Sequence, residues 1–230
     1  MSFSAASATG SPQKRQRLDT QPSNNKQFQL SQHTLSGGRR VTIVRDDHLL
    51  GGTKSRFVPD YLRSVQKSEV VYASSQEGFA QIALAACAKE CGKKITIVTS
   101  HRREEHPNVK LVKKLGANLI LVEKNAFLSV LQSRARKYVD EDSQSRELAP
   151  FGLMTDQIIA SISTIGKALL AECEIDEPKE CWLPTSSGTL LRGLMAAWPH
   201  CHFHGIHRGG EPPRQMFAVD RILFDLCSCL

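Results

Sequence analysis

Val70-Val71-Tyr72-Ala73, followed by Ser74-Ser75-Gln76-Glu77-Gly78 and then by Phe79 to Cys91, decides the fold. The first four residues read as a short buried strand, and the small polar residues after them as a loop that opens an alanine-rich helix. Gly92 stands where a helix C-terminal cap is expected. Lys94-Ile95-Thr96-Ile97-Val98 is the next strand. Pro107 starts a helix that runs to Leu115 with Gly116 as its cap, and Leu119-Ile120-Leu121-Val122 is a strand again. Strands that recur after helices, at βαβ spacing, predict an α/β fold: open, mostly parallel twisted sheets with helices on both faces.

The pattern extends in both directions. Upstream, Val41-Thr42-Ile43-Val44 reads as a strand of the same pattern, and Phe57 to Val65 has helical spacing through Phe57, Tyr61, Leu62 and Val65. Downstream, Ala126 to Val139 reads as a helix and Asp140 to Arg146 as a charged surface loop. Asp156 to Cys173 is a long helix with Ile158, Ile159, Ile162, Ile165, Leu169 and Leu170 on its inner face. Cys181 to Pro184 reads as a strand end, Leu190 to Trp198 as a helix and Cys201 to Ile206 as a final strand. The expected organisation is a basic tail over residues 1–36, a two-lobed domain over 37–218 and an atypical C-terminal tail over 219–230. Within the domain, a small lobe at about 69–145 is inserted in a larger one formed by 37–68 and 146–218.

A chain of 230 residues with 40% hydrophobic content is long enough for one sizeable core. No apolar run approaches the roughly 20 residues of a membrane helix, and Met1 to Ser11 lack the apolar centre of a secretory signal, so the default compartment is cytoplasmic. Seven cysteines, an odd number, read as mostly reduced thiols. The formal charge of +7 is concentrated: Lys14, Arg15, Arg17, Lys26, Arg39 and Arg40 face only Asp19 in the first 40 residues, which leaves +2 for the rest. That tail has few large apolar residues and reads as disordered through about residue 36. Lys14-Arg15-Gln16-Arg17 is a candidate nuclear address, and the acid-poor start a candidate organellar transit segment, beside a merely solubilising role. Nucleic-acid binding beyond this tail is not expected.

Two segments carry chemistry. In Arg45-Asp46-Asp47-His48-Leu49-Leu50-Gly51-Gly52-Thr53-Lys54-Ser55-Arg56 a lysine follows a glycine pair and precedes a helical run. An amine on a short, sharply turned support, if desolvated, captures a carbonyl as a Schiff base. The alternative is a solvated lysine in a glycine turn. Thr185-Ser186-Ser187-Gly188-Thr189, before the Leu190 helix, offers backbone N–H groups, hydroxyls and a helix dipole to a phosphate, or is an ordinary N-cap. Both segments and the Ser74 to Gly78 loop follow predicted strands, where open α/β sheets place their ligands. Cys201-His202-Phe203-His204-Gly205-Ile206-His207 puts at most two ligands on each strand face, and no metal is assigned to it. Cys87 and Cys91 read as small core residues, and Arg102 to Glu105 as a solvated face.

In order and spacing these pieces resemble the fold type II pyridoxal-phosphate enzymes, the tryptophan synthase beta-like superfamily. They are most similar to the branch containing 1-aminocyclopropane-1-carboxylate deaminase and D-cysteine desulfhydrase. The likeness covers about Val41 to Gly209. Arg45-Asp46-Asp47 with Gly51-Gly52-Thr53-Lys54-Ser55-Arg56 is similar to that branch's Arg-Glu/Asp-Asp and Gly-Gly-Asn-Lys-x-Arg pattern, in which the lysine carries the cofactor. The resemblance thus implies pyridoxal 5'-phosphate, with Lys54 as its Schiff-base lysine and catalytic residue. It implies Ser186, Ser187, Gly188, Thr189 and Leu190 as the phosphate cup, Gly78 beside the cofactor ring, and Ser75 and Gln76 on the substrate side, with Ser74 weighed as a helix cap. The implied function is a lyase or deaminase that acts on a small amino acid and releases ammonia and a 2-oxo acid, as a homodimer.

Two departures are visible. The family's Asn that contacts the ring oxygen falls on Gly78 or Phe79, according to a one-residue choice of alignment. Family members also continue past the strand after the phosphate loop with the rest of the large domain, a hydroxyl partner for the ring nitrogen and, in the deaminase branch, a catalytic tyrosine; Asp220 to Leu230 does not resemble that portion, so the architecture is expected to be incomplete at the C-terminus. The competing reading is a truncated or catalytically impaired member that serves as a binding or assembly subunit.

Overall fold

A computed structural model describes residues 27–124 and 126–206. Lys14 to Arg17, His207 and residues 219–230 lie outside the described residues. A strand begins inside the stretch assigned to the tail: β1 (Leu30–Thr34) pairs antiparallel with β2 (Arg40–Val44), Leu30 opposite Val44. The expected end of the tail at residue 36 is therefore too late. Composition averaged over a mostly polar stretch of 36 residues hides a local anchor: Phe28 is buried under the Arg56 guanidinium, 4.4 Å from its ring centre. The Val41 to Val44 strand is present, but it belongs to this separate hairpin rather than to a parallel sheet.

Helix α1 (Val58–Ser64) leads into β3 (Glu69–Ala73), which is buried at every position. Helix α2 (Ala80–Ala88) returns to β4 (Lys94–Ser100), α3 (Pro107–Lys114) to β5 (Asn118–Val122), and α4 (Leu128–Asp140) to β6 (Arg146–Leu148). These strands form one parallel sheet in the order β5-β4-β3-β6. Strand alternation sends Val70, Tyr72, Ile95 and Ile97 into a core with α1 and α2, and Val71, Ala73 and Val98 against Leu131 and Ala135 of α4. A parallel strand covered on both faces has no polar side to show, which is why Val70 to Ala73 is continuously apolar.

β6 begins where the sequence predicts the end of a loop. Arg-Glu-Leu has no apolar run to announce a strand, yet Arg146, Glu147 and Leu148 pair with Glu69, Val70 and Val71, so the small sheet runs past the boundary expected at residue 145. The pairing is tied at one end by Glu69. Its carboxylate accepts hydrogen bonds from the hydroxyls of Thr96 and Tyr138 and lies 3.4 Å from both Lys94 Nζ and Arg146 Nε. Arg146 in turn stacks on Tyr138, 3.8 Å from its ring centre.

Helix α5 (Asp156–Cys173) is capped by the Thr155 hydroxyl, which accepts from Ile158 N, and coincides with its expected span. It packs on α6 (Thr189–Ala197), which links β7 (Glu180–Pro184) to the parallel β8 (His202–Ile206). The two helices approach closely through glycines: a Cβ on Gly166 would stand 2.8 Å from Ala197 Cβ, and one on Gly193 would overlap Ile162. No described helix is long and apolar enough to cross a membrane. Glu69→Ala, which strands Arg146 beside an empty site, is expected to destabilise the fold by about 3 kcal/mol, read from the urea unfolding midpoint.

Candidate active site

Lys54 lies in a 3-10 turn over Gly52–Arg56, and a second such turn covers Asp46–His48. Asp46 Oδ1 accepts from Arg56 Nε at 2.9 Å and from Nη2 at 2.6 Å, with the two side chains only 13% and 7% exposed. The charged residues at either end of the motif therefore clasp each other and close the intervening chain into a loop. That loop lies on α2. Gly51 has φ +95, and a Cβ there would come within 2.6 Å of Ala83 Cα, so neither the backbone angle nor the contact admits a side chain. Ser55 closes the same loop by donating its hydroxyl to the Leu50 carbonyl. Lys54 is half-buried and has no carboxylate partner among the described residues; burial alone pushes its amine below the ordinary lysine pKa.

The loop after β3 is tightly cross-bonded. Gly78 N donates to Ser75 O at 3.1 Å, and the Gln81 amide donates to the carbonyls of Ser75 and Gln76 at 3.2 and 3.0 Å. Ser75 keeps its side chain exposed, whereas Ser74 is buried with its hydroxyl on Ser75 O. Gln76, expected on the substrate side, is 1% exposed. Its Nε2 donates to Ser100 O at 2.7 Å and its Oε1 accepts from His106 N at 2.9 Å, which ties the loop to the end of β4 and the start of α3. With these two bonds Gln76 braces the loop against β4 and α3. At Gly78 a Cβ would overlap the Ser74 hydroxyl, and Phe79 is 57% exposed. Neither residue carries a side-chain donor.

The third piece is the start of α6. Gly188 has φ +80 and caps the helix with no side-chain bond, which leaves the first-turn N–H groups without intrahelical partners. Thr185 and Thr189 are buried, Ser187 and Leu190 half-buried and Ser186 exposed. Thr189 Oγ1 donates to Gly152 O at 2.8 Å; having spent its one proton there, it must accept from Ser187 Oγ at 3.0 Å. Gly152 itself has φ +70, and a Cβ on it would stand 2.5 Å from Ser187 Oγ. Its N–H donates at 3.2 Å to the hydroxyl of Tyr72, which is buried.

The strand–loop–helix unit from β3 to α2 therefore touches both other pieces: Tyr72 bonds the network behind the phosphate-type loop, and Ala83 supports the lysine turn. The sequence reading missed Gly152, whose only trace was a glycine after Pro150 in a connection, and the Asp46–Arg56 clasp, whose residues were quoted but given no role. At β8 the ring of His204 is buried and stacked 3.9 Å from that of Trp182, with His202 edge-on at 4.6 Å on the same face. Among the described residues no group of three or more metal-ligating side chains converges. Cys87, Cys91, Cys181 and Cys201 are free thiols, and burial pushes those of Cys181 and Cys201 up to about 12 and about 11.

A family model described as pyridoxal-phosphate dependent enzyme matches residues 30–221. Among solved structures, the chain is similar to an ACC deaminase homologue, with 20% identity and a TM-score of 0.64 over 76% of this chain and 57% of that one. The O-acetylserine dependent cystathionine beta-synthase from Helicobacter pylori shares 16% identity at a TM-score of 0.63, covering 88% of this chain and 71% of that one. The threonine deaminase of T.th. shares 20% at 0.54, covering 67% and 49%. The chain thus spans about half the length of the deaminases it matches. No curated protein matches the sequence.

Gly152→Ala adds a methyl group where both φ and Ser187 oppose it, and is expected to destabilise the fold by about 1–3 kcal/mol in urea unfolding. Adding Ser187→Gly, which clears the space, is expected to recover part of that loss.

Proposed function

Since this chain belongs to the pyridoxal-phosphate dependent enzyme family, by its match over residues 30–221, we propose that it holds pyridoxal 5'-phosphate between Lys54 and the start of α6 and acts as a lyase or deaminase on a small amino acid. The carrying observation is the clasped lysine turn: a half-buried amine, without a counter-charge among the described residues, on a glycine support pressed against α2. The donor set fits the cofactor at both ends. An amine whose pKa burial lowers suits an aldehyde, and an uncapped helix start behind a left-handed glycine suits a phosphate.

Each residue then has a defined task. Lys54 would hold the aldehyde end of the cofactor, and its amine would take and return a proton at the substrate carbon. The N–H groups from Ser187 to Leu190, with Gly188 keeping the backbone open and the Ser186 hydroxyl at the rim, hold the phosphate. The hydroxyls of Ser187 and Thr189 are already committed to each other and to Gly152, so they shape the cup rather than grip its content. Gly78 would lie beside the ring, and the exposed Ser75 hydroxyl would meet the substrate carboxylate. Bound there, the cofactor supplies an electron-withdrawing ring that makes proton removal and loss of a neighbouring group feasible.

One observation favours a second reading, a cofactor-holding subunit with little turnover: neither Gly78 nor Phe79 offers a side-chain donor to the ring oxygen. The two are separable. Adding pyridoxal 5'-phosphate to the full chain is expected to produce a visible absorbance band that Lys54→Ala abolishes; a protein without any lysine-dependent band sinks the cofactor proposal. Because desolvation lowers the Lys54 pKa, the neutral amine should persist to lower pH than a surface lysine's, and band formation should rise with pH through a midpoint below the usual lysine range. A band without release of ammonia from small amino acids would select the second reading.

A further inference from the structure

Tyr72 of β3, in the four-stranded sheet, reaches the loop before α6 through a hydrogen-bonded chain. From β3 its hydroxyl accepts from Gly152 N at 3.2 Å; Gly152 O accepts from Thr189 Oγ1 at 2.8 Å; and Thr189 Oγ1 accepts from Ser187 Oγ at 3.0 Å. Each of these three bonds has one direction that the geometry allows. A carbonyl only accepts and an amide only donates, so Gly152 presents its N–H to the tyrosine and its oxygen to the threonine. The Thr189 proton is thereby turned away from the loop's open side, and the Ser187 proton follows it.

Resting on the cofactor reading above, we infer that Tyr72 is a positioning residue: by fixing the Gly152 peptide it holds the Ser187 and Thr189 hydroxyls out of service, so that over Ser187 to Leu190 the anion is gripped by backbone N–H groups and not by these two hydroxyls. Three observations converge on this. Gly152 cannot take another residue without striking Ser187, so the peptide and the loop are in direct contact. The tyrosine ring lies in the main core and is 3% exposed, so no water is positioned to replace its hydroxyl. Two residues after Tyr72 the chain enters the Ser74 to Gly78 loop, so the same strand that sets the phosphate end also carries the loop assigned to the ring and substrate. Burial raises the phenol pKa, which keeps the hydroxyl protonated across the working pH range. The same strand thus supports the start of α6 through Tyr72 and leads into the loop and helix that back the lysine turn.

The test is Tyr72→Phe, which keeps the ring and removes the oxygen. In the full chain, pyridoxal 5'-phosphate affinity should fall by roughly ten-fold, as for one buried donor left unmade. The phosphorus-31 resonance of the bound cofactor should also shift, because freed hydroxyls now reach the phosphate. Ser187→Ala in the Tyr72→Phe background should move that resonance back. Val70→Ala, a buried change on the same face of β3, should lower thermal stability while leaving the resonance in place, which separates positioning from general loosening. An unchanged resonance and affinity in Tyr72→Phe overturns the inference and leaves the cofactor reading intact. A wild-type protein that binds no cofactor overturns both.

Discussion

The complete burial of β3 is the constraint on which the rest hangs. A parallel strand with a neighbour on each edge and helices on each face cannot expose any side chain, and all five residues from Glu69 to Ala73 are buried. The strand must then solve a problem at each end. At its start a carboxylate is inside the protein, and Thr96, Tyr138, Lys94 and Arg146 converge to satisfy it. At its end the backbone leaves the sheet, and Gln76 and Gln81 supply the hydrogen bonds that the sheet no longer provides. Both solutions use groups from distant parts of the chain, so they act as register locks as much as stabilising contacts. A buried ion pair weighed against its desolvation adds little net stability. Its removal leaves a stranded charge, and that asymmetry is what makes the arrangement specific.

The candidate site inherits its rigidity from this strand. α2, which follows β3 after one short loop, presses on Gly51 and so supports the lysine turn; Tyr72 reaches the Gly152 peptide and so supports the helix start at Thr189. The lysine turn is closed independently by Asp46 and Arg56, a nearly buried pair spanning ten residues. An amine held within that loop, with no carboxylate beside it among the described residues, has its pKa lowered by desolvation without a compensating charge. The proposed cofactor site joins these two supported pieces, the lysine turn and the start of α6.

How much of the fold is legible in the sequence follows a physical rule. Asp156 to Cys173 is readable to the residue, because 18 positions of helical period with a threonine cap carry redundant information. The α/β class and the order of β3, α2, β4, α3 and β5 are readable for the same reason. β6 is not, since three residues without an apolar run owe their strand state to a partner, and Arg146 is held there by Glu69 from 77 positions away. Val41 to Val44 is recognisable as a strand but not assignable to its sheet, because strand propensity does not contain the identity of a neighbour. Leu30 to Thr34 is lost in the average composition of a polar tail.

The same division runs through the site. Sequence alone determined which chemistry is on offer: a lysine after two glycines, a Ser-Ser-Gly-Thr helix start and a polar loop behind a buried strand are local patterns, set by backbone freedom and by the functional groups themselves. It determined nothing about which of those groups are spent. Gln76 reads as a substrate-side residue and also braces its loop; Asp46 and Arg56 stand near the lysine in sequence and clasp its turn; Gly152 carries no reading in the sequence and is the peptide that joins Tyr72 to Thr189. Hydrogen-bond partnership between distant residues is settled by packing, where each donor and acceptor is matched once, and only the tertiary structure carries out that matching.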